Sequence, residues 1–158
     1  MSQGFLSRWL VSAGGLRTFM NLWPPFRGMG IRVREITPDY RRVIVELRMK
    51  LFNRNYVGTH FGGSLFAMTD PYWMIMMMRN LGDDYVVWDK AGTIRFLEPA
   101  RGTVTARFEL PEARVQEARD ATAGGEKYEP AFVVEIVDRE GTVVASVEKT
   151  LHIRRKKK

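Results

Sequence analysis

Cysteine is absent from this 158-residue chain, and histidine occurs only twice, as His60 and His152. The first absence excludes a disulfide framework, a thiolate nucleophile and every cysteine-based zinc or iron site. With two distant histidines, a transition-metal centre would rest almost wholly on carboxylates, so no metal is expected. Carboxylates are themselves missing from the start: Arg8, Arg17, Arg27, Arg32 and Arg34 all precede Glu35, the first acidic residue. Transit peptides, membrane-surface helices and short packing helices share such a composition. Arg8 breaks the one apolar stretch a secretory signal would use. Phe5, Trp9, Leu16 and Met20 recur at helical spacing, which favours a packing helix stopped by Pro24 and Pro25.

An uninterrupted apolar run of membrane-spanning length is lacking too. The nearest approach lies between His60 and Arg79, where Asp70 is the one charged side chain. Leu65, Phe66, Tyr72, Trp73, Ile75 and a cluster of methionines would cover every side of a helix there, as in a helix surrounded by protein. Glycines, Thr69, Asp70 and Pro71 thin the run below the ~20 apolar residues of a span. The expectation is a buried helix from Gly63 to about Asn80, kinked near Pro71, with no stable membrane insertion. The net charge of +7 is concentrated at one end: without Arg154 to Lys158 it falls to +2. A short basic end without interleaved aromatics is expected to be a disordered tail, and no nucleic-acid partner is expected.

What is present suits one globular domain, with 45% hydrophobic and 27% charged residues. After Pro25 the period changes from helical to two. Ile31, Val33 and Glu35 alternate with Arg32 and Arg34; then Val43, Val45, Leu47 and Met49 alternate with Glu46, Arg48 and Lys50. Together they predict a half-buried hairpin around "TPD". Residues 51–62 form a loop, and 85–97, 103–110, 131–137 and 142–153 are predicted strands, with a short helix over 112–120. Lys90 interrupts an apolar Val86, Trp88, Ile94, Phe96 face, and Lys149 interrupts the face of Val143, Ala145, Val147, Leu151 and Ile153. Antiparallel strands with one apolar helix are satisfied when the sheet curls around the helix, and dimerisation would cover the helix's other side.

Two segments carry a family likeness. "NRNYVGTHFGGSLFAMTD" at 53–70 resembles the helix-start motif of hotdog-fold thioesterases of the phenylacetic-acid type, with Gly62-Gly63 and an acidic residue, Asp70, seven positions on. "TIRFLEPARG" at 93–102 is similar to a second shared element, a strand followed by Pro-Ala and a turn glycine. The wider sequence, including "NLWPPFRGMGI" and "VVWDK", looks closest to a domain-of-unknown-function branch of that superfamily. The resemblance implies an α+β hotdog fold, a curved antiparallel sheet of about six strands around one long buried helix. The expected division is a packing helix and Pro-rich turn at 1–28, a hotdog domain at 29–153 and the tail at 154–158. It further implies a cytoplasmic homodimer or dimer of dimers that takes an acyl thioester. One departure stands out: Phe61 occupies the place before Gly-Gly where better-known members carry histidine, and His60 lies one residue earlier.

Thioester hydrolysis needs a polarised carbonyl and an activated water or a nucleophile. Glycines at a helix start let a ligand approach free backbone amides, so Gly62 or Gly63 is expected to face the thioester oxygen. The resemblance gives Asp70 the role of base or nucleophile toward the partner subunit's thioester; burial is expected to raise its pKa. The structural alternative for Asp70 is an ion pair, for example with Lys90. Asn55 is a candidate for orienting water or the pantetheine arm, and His60 for assisting acid or base; turn formation is the alternative for Asn55. Arg54, Arg95 and Arg101 are candidate clamps for coenzyme A phosphates. Coenzyme A enters here as part of the substrate, and no cofactor is expected. The methionines are core filling, or an adaptable acyl tunnel. A non-catalytic acyl-thioester binding or sensing module is the main rival, followed by a hydratase of the same fold.

Overall fold

A computed structural model describes residues 12–156. Phe5 and Trp9, expected in the packing helix, and Lys157 and Lys158 of the basic end lie outside the described residues. Helix α1 (Ala13–Leu22) begins at Ser12, whose hydroxyl accepts from the Gly15 amide at 3.1 Å and satisfies one orphan donor of the first turn. Pro24 and Pro25 end it as expected, but they also open a second helix, α2 (Pro24–Met29), because proline suits the first helical turn. Gly30 closes α2 with φ 84°, under the Arg48 carbonyl where a Cβ would sit at 2.7 Å.

Strands β1 (Ile31–Ile36) and β2 (Arg42–Arg48) form the expected hairpin, with a register shift between Val33 and Glu35 that turns Ile36 inward. Val43, Val45 and Leu47 are fully buried. A 3-10 turn (Leu51–Asn53) and a loop lead to helix α3 (Gly62–Ala67); after a break at residues 68–71, with a cis Asp70–Pro71 bond, helix α4 runs over Tyr72–Leu81. The apolar stretch thus folds as two helices rather than one kinked helix. Proline 71 supplies no amide to the 68–71 turn, and Thr69 closes it by donating its hydroxyl to the Phe66 carbonyl at 2.7 Å.

Strands β3 (Tyr85–Phe96) and β4 (Thr103–Glu109), helix α5 (Glu112–Ala121), and strands β5 (Lys127–Tyr128), β6 (Ala131–Val137) and β7 (Val143–Arg155) complete the chain. The sheet is antiparallel with the order β1-β2-β4-β6-β7-β3, and two-residue β5 pairs with β7. Strand β7 continues to Arg155, opposite Tyr85, and the Lys156 amide donates to Asp84. Arg154 and Arg155 therefore belong to the sheet and not to a disordered tail; the β3 partner satisfies their backbone.

Helix α4 lies across this sheet. Tyr72 and Trp73 meet Phe108 of β4 at 5.1 and 5.3 Å between ring centroids, and Trp73 stacks on Phe132 of β6 at 4.9 Å. Met68, Met76 and Met77 are fully buried, so three of the methionines fill core. Met78 is 39% exposed, and Met74 and Ile75 are partly exposed beside it, leaving one stripe of α4 uncovered. The two sheet edges differ. At β1, Asn21 of α1 exchanges two hydrogen bonds with Val33, donating to its carbonyl at 2.9 Å and accepting from its amide at 2.8 Å. The free edge of β1 is thereby capped, whereas among the described residues β3 pairs with β7 alone.

Candidate active site

A register shift between Asp89 and Ala91 decides what β3 presents. Read with uninterrupted period two, Val86, Trp88 and Lys90 share a face with Ile94 and Phe96. The bulge reverses this below residue 91, so Val87 is buried while Trp88 is 48% exposed and stacks on His152 at 4.2 Å. Lys90 consequently points away from the helices and pairs with Glu129 at 2.6 Å, and the Asp70–Lys90 pair does not form. Asp89 turns inward in its place.

The cation that meets Asp70 is Lys149, the residue that broke the apolar face of β7. Its Nζ donates to Asp70 Oδ1 at 2.5 Å, lies 3.8 Å from Asp89 Oδ1 and sits 4.9 Å from the centre of the Phe66 ring. Lysine is rarely so buried without partners, and its side chain here is only 6% exposed. Asp70 is 49% exposed, so the low-dielectric environment expected for it is absent, and its carboxylate stays open to solvent beside the ammonium. Burial falls on Asp89 instead: desolvation raises its pKa, Lys149 opposes this, and the Asp70 charge adds to it. Burial, reinforced by the Asp70 charge, also raises the pKa of the Tyr72 phenol, whose hydroxyl is buried without a partner among the described residues. Gly92 makes room for this cluster, since a Cβ there would come within 2.7 Å of Phe66 and 3.1 Å of Lys149 Cδ.

The Gly-Gly end of α3 opens on a cleft of about 600 Å³ lined by residues that include Asn55, His60, Gly62, Leu65, Phe96 and Arg101. Among the described residues, no methionine lines it. Phe96 lies over Gly62, where a Cβ would be 2.8 Å from the ring, and the Phe61 ring folds against Gly63. The amides of Ser64 and Leu65 bond the Phe61 carbonyl, while those of Gly62 and Gly63 make no backbone hydrogen bond among the described residues.

Two expected participants are occupied by the loop itself. Asn55 donates to Thr59 Oγ1 at 2.7 Å and the His60 carbonyl at 3.1 Å, and accepts from the Val57 and Thr59 amides. His60 is 3% exposed, with Nε2 2.9 Å from the Gly102 carbonyl and Nδ1 unpartnered. A carbonyl only accepts, so Nε2 carries the proton; desolvation then lowers the His60 pKa, opposed by that bond. The histidine is a latch between the 53–60 loop and the turn before β4. Of the arginines, Arg101 lines the cleft and donates to the Gly58 carbonyl at 2.9 Å. Arg54 is exposed and its backbone bridges to His60. Arg95 alternates with the cleft-lining Phe96 and so stands on the opposite face of β3.

The comparisons with known proteins bear on this arrangement. A model for a domain of unknown function, DUF4442, matches residues 8–153. The chain belongs to the DUF4442 family. Among solved structures, Pseudomonas aeruginosa PA5026, a protein of unknown function described as a probable thioesterase, superposes with a TM-score of 0.76 at 21% identity, over 89% of this chain and 93% of that one. Thioesterase HI1161 of Haemophilus influenzae follows with 0.64 at 13% identity, over 91% of each chain. The Escherichia coli PaaI protein from the phenylacetic acid degradation operon gives 0.60 at 16% identity, over 98% and 97%. At such identities the likeness establishes the fold, and this DUF4442 domain has the hotdog fold. No curated protein sequence matches.

Proposed function

We propose that this DUF4442 domain hydrolyses acyl thioesters at a site shared by two copies of the chain, with Asp70 as base toward water or as nucleophile. The observation that carries the proposal is the half-exposed Asp70 carboxylate held by buried Lys149 on an otherwise apolar helical segment. Replacing both members of such a pair by apolar residues would cost little stability, so packing alone does not call for the charges. The thioesterase neighbours of the same fold supply the reaction class.

A second copy of the chain would complete the site. Gly62 opens helix α3, whereas Asp70 lies past its last residue, Ala67, in the 68–71 turn. On β3, Gly92 faces Phe66 while Phe96 faces Gly62, and those four residues of strand span about 13 Å. Within one chain that separation would keep the amide donor and the carboxylate from meeting at a single carbonyl. The uncapped β3 edge, paired with its own two-fold mate, would set two helical segments antiparallel. The Gly-Gly end of one then faces Asp70 of the other, and the exposed Met78 stripe is covered. A thioester carbonyl at the cleft would accept from the Gly62 or Gly63 amide. Asp70 of the other subunit would take a proton from water as that water attacks the carbonyl carbon, or would attack the carbon itself to form an anhydride that water then cleaves; in either route the thiolate leaves and the acid is released. Arg101, which lines the cleft, would meet a coenzyme A phosphate, and coenzyme A would enter as part of the substrate. His60 and Asn55 hold the rim in shape.

Free-thiol release from acyl-coenzyme A esters of rising chain length tests this. Turnover of at least one ester is expected; saturable binding of every ester without thiol release would make the domain a carrier or sensor.

A further inference from the structure

We infer that the face built from α1, α2 and the β1–β2 margin docks on an anionic phospholipid surface. Two adjoining grooves share Asn21 and Arg32 on this face. Arg27, Arg32, Arg48 and Lys50 line one, Arg17, Arg32 and Arg34 the other, and no carboxylate lines either. Glu46 is the acidic partner at their margin, 3.4 Å from Arg34 and 2.9 Å from Arg48. Arg27 and Arg32 are exposed and form no ion pair among the described residues.

Charge alone would suit any polyanion, but the face is also amphipathic. Ala13, Gly15 and Met20 turn one side of α1 to the sheet. On the other side Phe19, Leu22 and Trp23 are 47%, 62% and 41% exposed within little more than one helical turn. Single exposed apolar residues need no explanation, but three together beside six cations do. Phe19 and Trp23 stand outside the grooves, on a helical rim, where an acidic peptide would find no pocket for apolar anchors. A lipid surface satisfies both halves: aromatic and aliphatic side chains enter the headgroup layer while arginines meet the phosphates. Docking of this kind is peripheral, and no described helix is long and apolar enough to cross a membrane.

Co-sedimentation of the full chain with vesicles of phosphatidylcholine, with and without phosphatidylglycerol, tests the inference, with circular dichroism confirming that each variant is folded. Binding is expected to the phosphatidylglycerol vesicles only, and to fall with added salt. Arg27→Gln with Arg32→Gln should lower partition by about thirty-fold, from two lost cation contacts. Trp23→Ser, and separately Phe19→Ser, should each lower it by roughly tenfold. No binding to phosphatidylglycerol vesicles, or undiminished binding by the arginine pair, would overturn it. So would binding to soluble polyglutamate as tight as to vesicles and insensitive to Trp23→Ser, which would assign the face to an acidic polypeptide.

Discussion

At the scale of single residues, Asp70 and Lys149 act on one another. Asp70→Asn keeps the shape of the side chain and removes the charge that would accept a proton, so thiol release should fall by about 10²–10⁴-fold with the fold retained. Lys149→Met leaves Asp89 inward-facing without its cation. Because Asp70 remains half exposed, the loss is smaller than for a sealed pair, about 2 kcal/mol, visible as a lower urea midpoint. His60 gives a pH signature. Its folded pKa lies below the ordinary 6.5, so the unfolded chain takes up a proton first as pH falls. Stability contributed by His60 is therefore present above that ordinary value and lost as pH drops through it toward the lowered folded value. Denaturation midpoints between about pH 8 and 5 should show a decline that His60→Gln diminishes; an unchanged decline would mean the ring is not held neutral.

At the scale of elements, packing and edges make the predictions. Gly92→Ala on β3 forces a methyl into Phe66 and Lys149 and should cost about 1–3 kcal/mol, while also displacing Asp70's partner and lowering activity. Asn21→Ala removes both hydrogen bonds that cap β1, an expected loss of about 1–2 kcal/mol in thermal or urea unfolding. The same elements show how far the sequence could be read. Strand β4 was legible because it alternates without interruption, β2 because Glu46, Arg48 and Lys50 mark its outer face, β6 and β7 because the turn residues "DREGT" lie between them, and the α5 helix because Gly124 and Gly125 follow it. Strand β3 was misread on its first half, since a bulge leaves no mark in composition, and that one shift exchanged Lys90 for Asp89. Lys149 was visible as the sole interruption of the β7 face. Its partner was not, because pairing Asp70 with β7 depends on how the helical stretch breaks at residues 68–71. Strand β5 is two residues long and carries no period at all.

At the scale of the whole molecule, the proposed site needs two copies of the chain. The hotdog fold was legible from the Gly-Gly motif and the second element at 93–102, whereas the bond from His60 to the Gly102 carbonyl joins residues 42 positions apart and leaves no mark in the sequence. One chain caps the β1 edge with α1 and leaves β3, the Met78 stripe and the Phe61–Phe96 rim to be covered. Light scattering should therefore report a dimer or a multiple of it. The most direct test combines two inactive chains: Asp70→Asn, and Gly63→Val, whose side chain would displace Phe61 at the amide donor. If amide and carboxylate come from different subunits, each variant alone is silent. The co-expressed mixture then recovers thiol release from mixed dimers that hold one intact pair. A mixture no more active than the separate variants, or wild-type turnover by either one, would contradict the shared site.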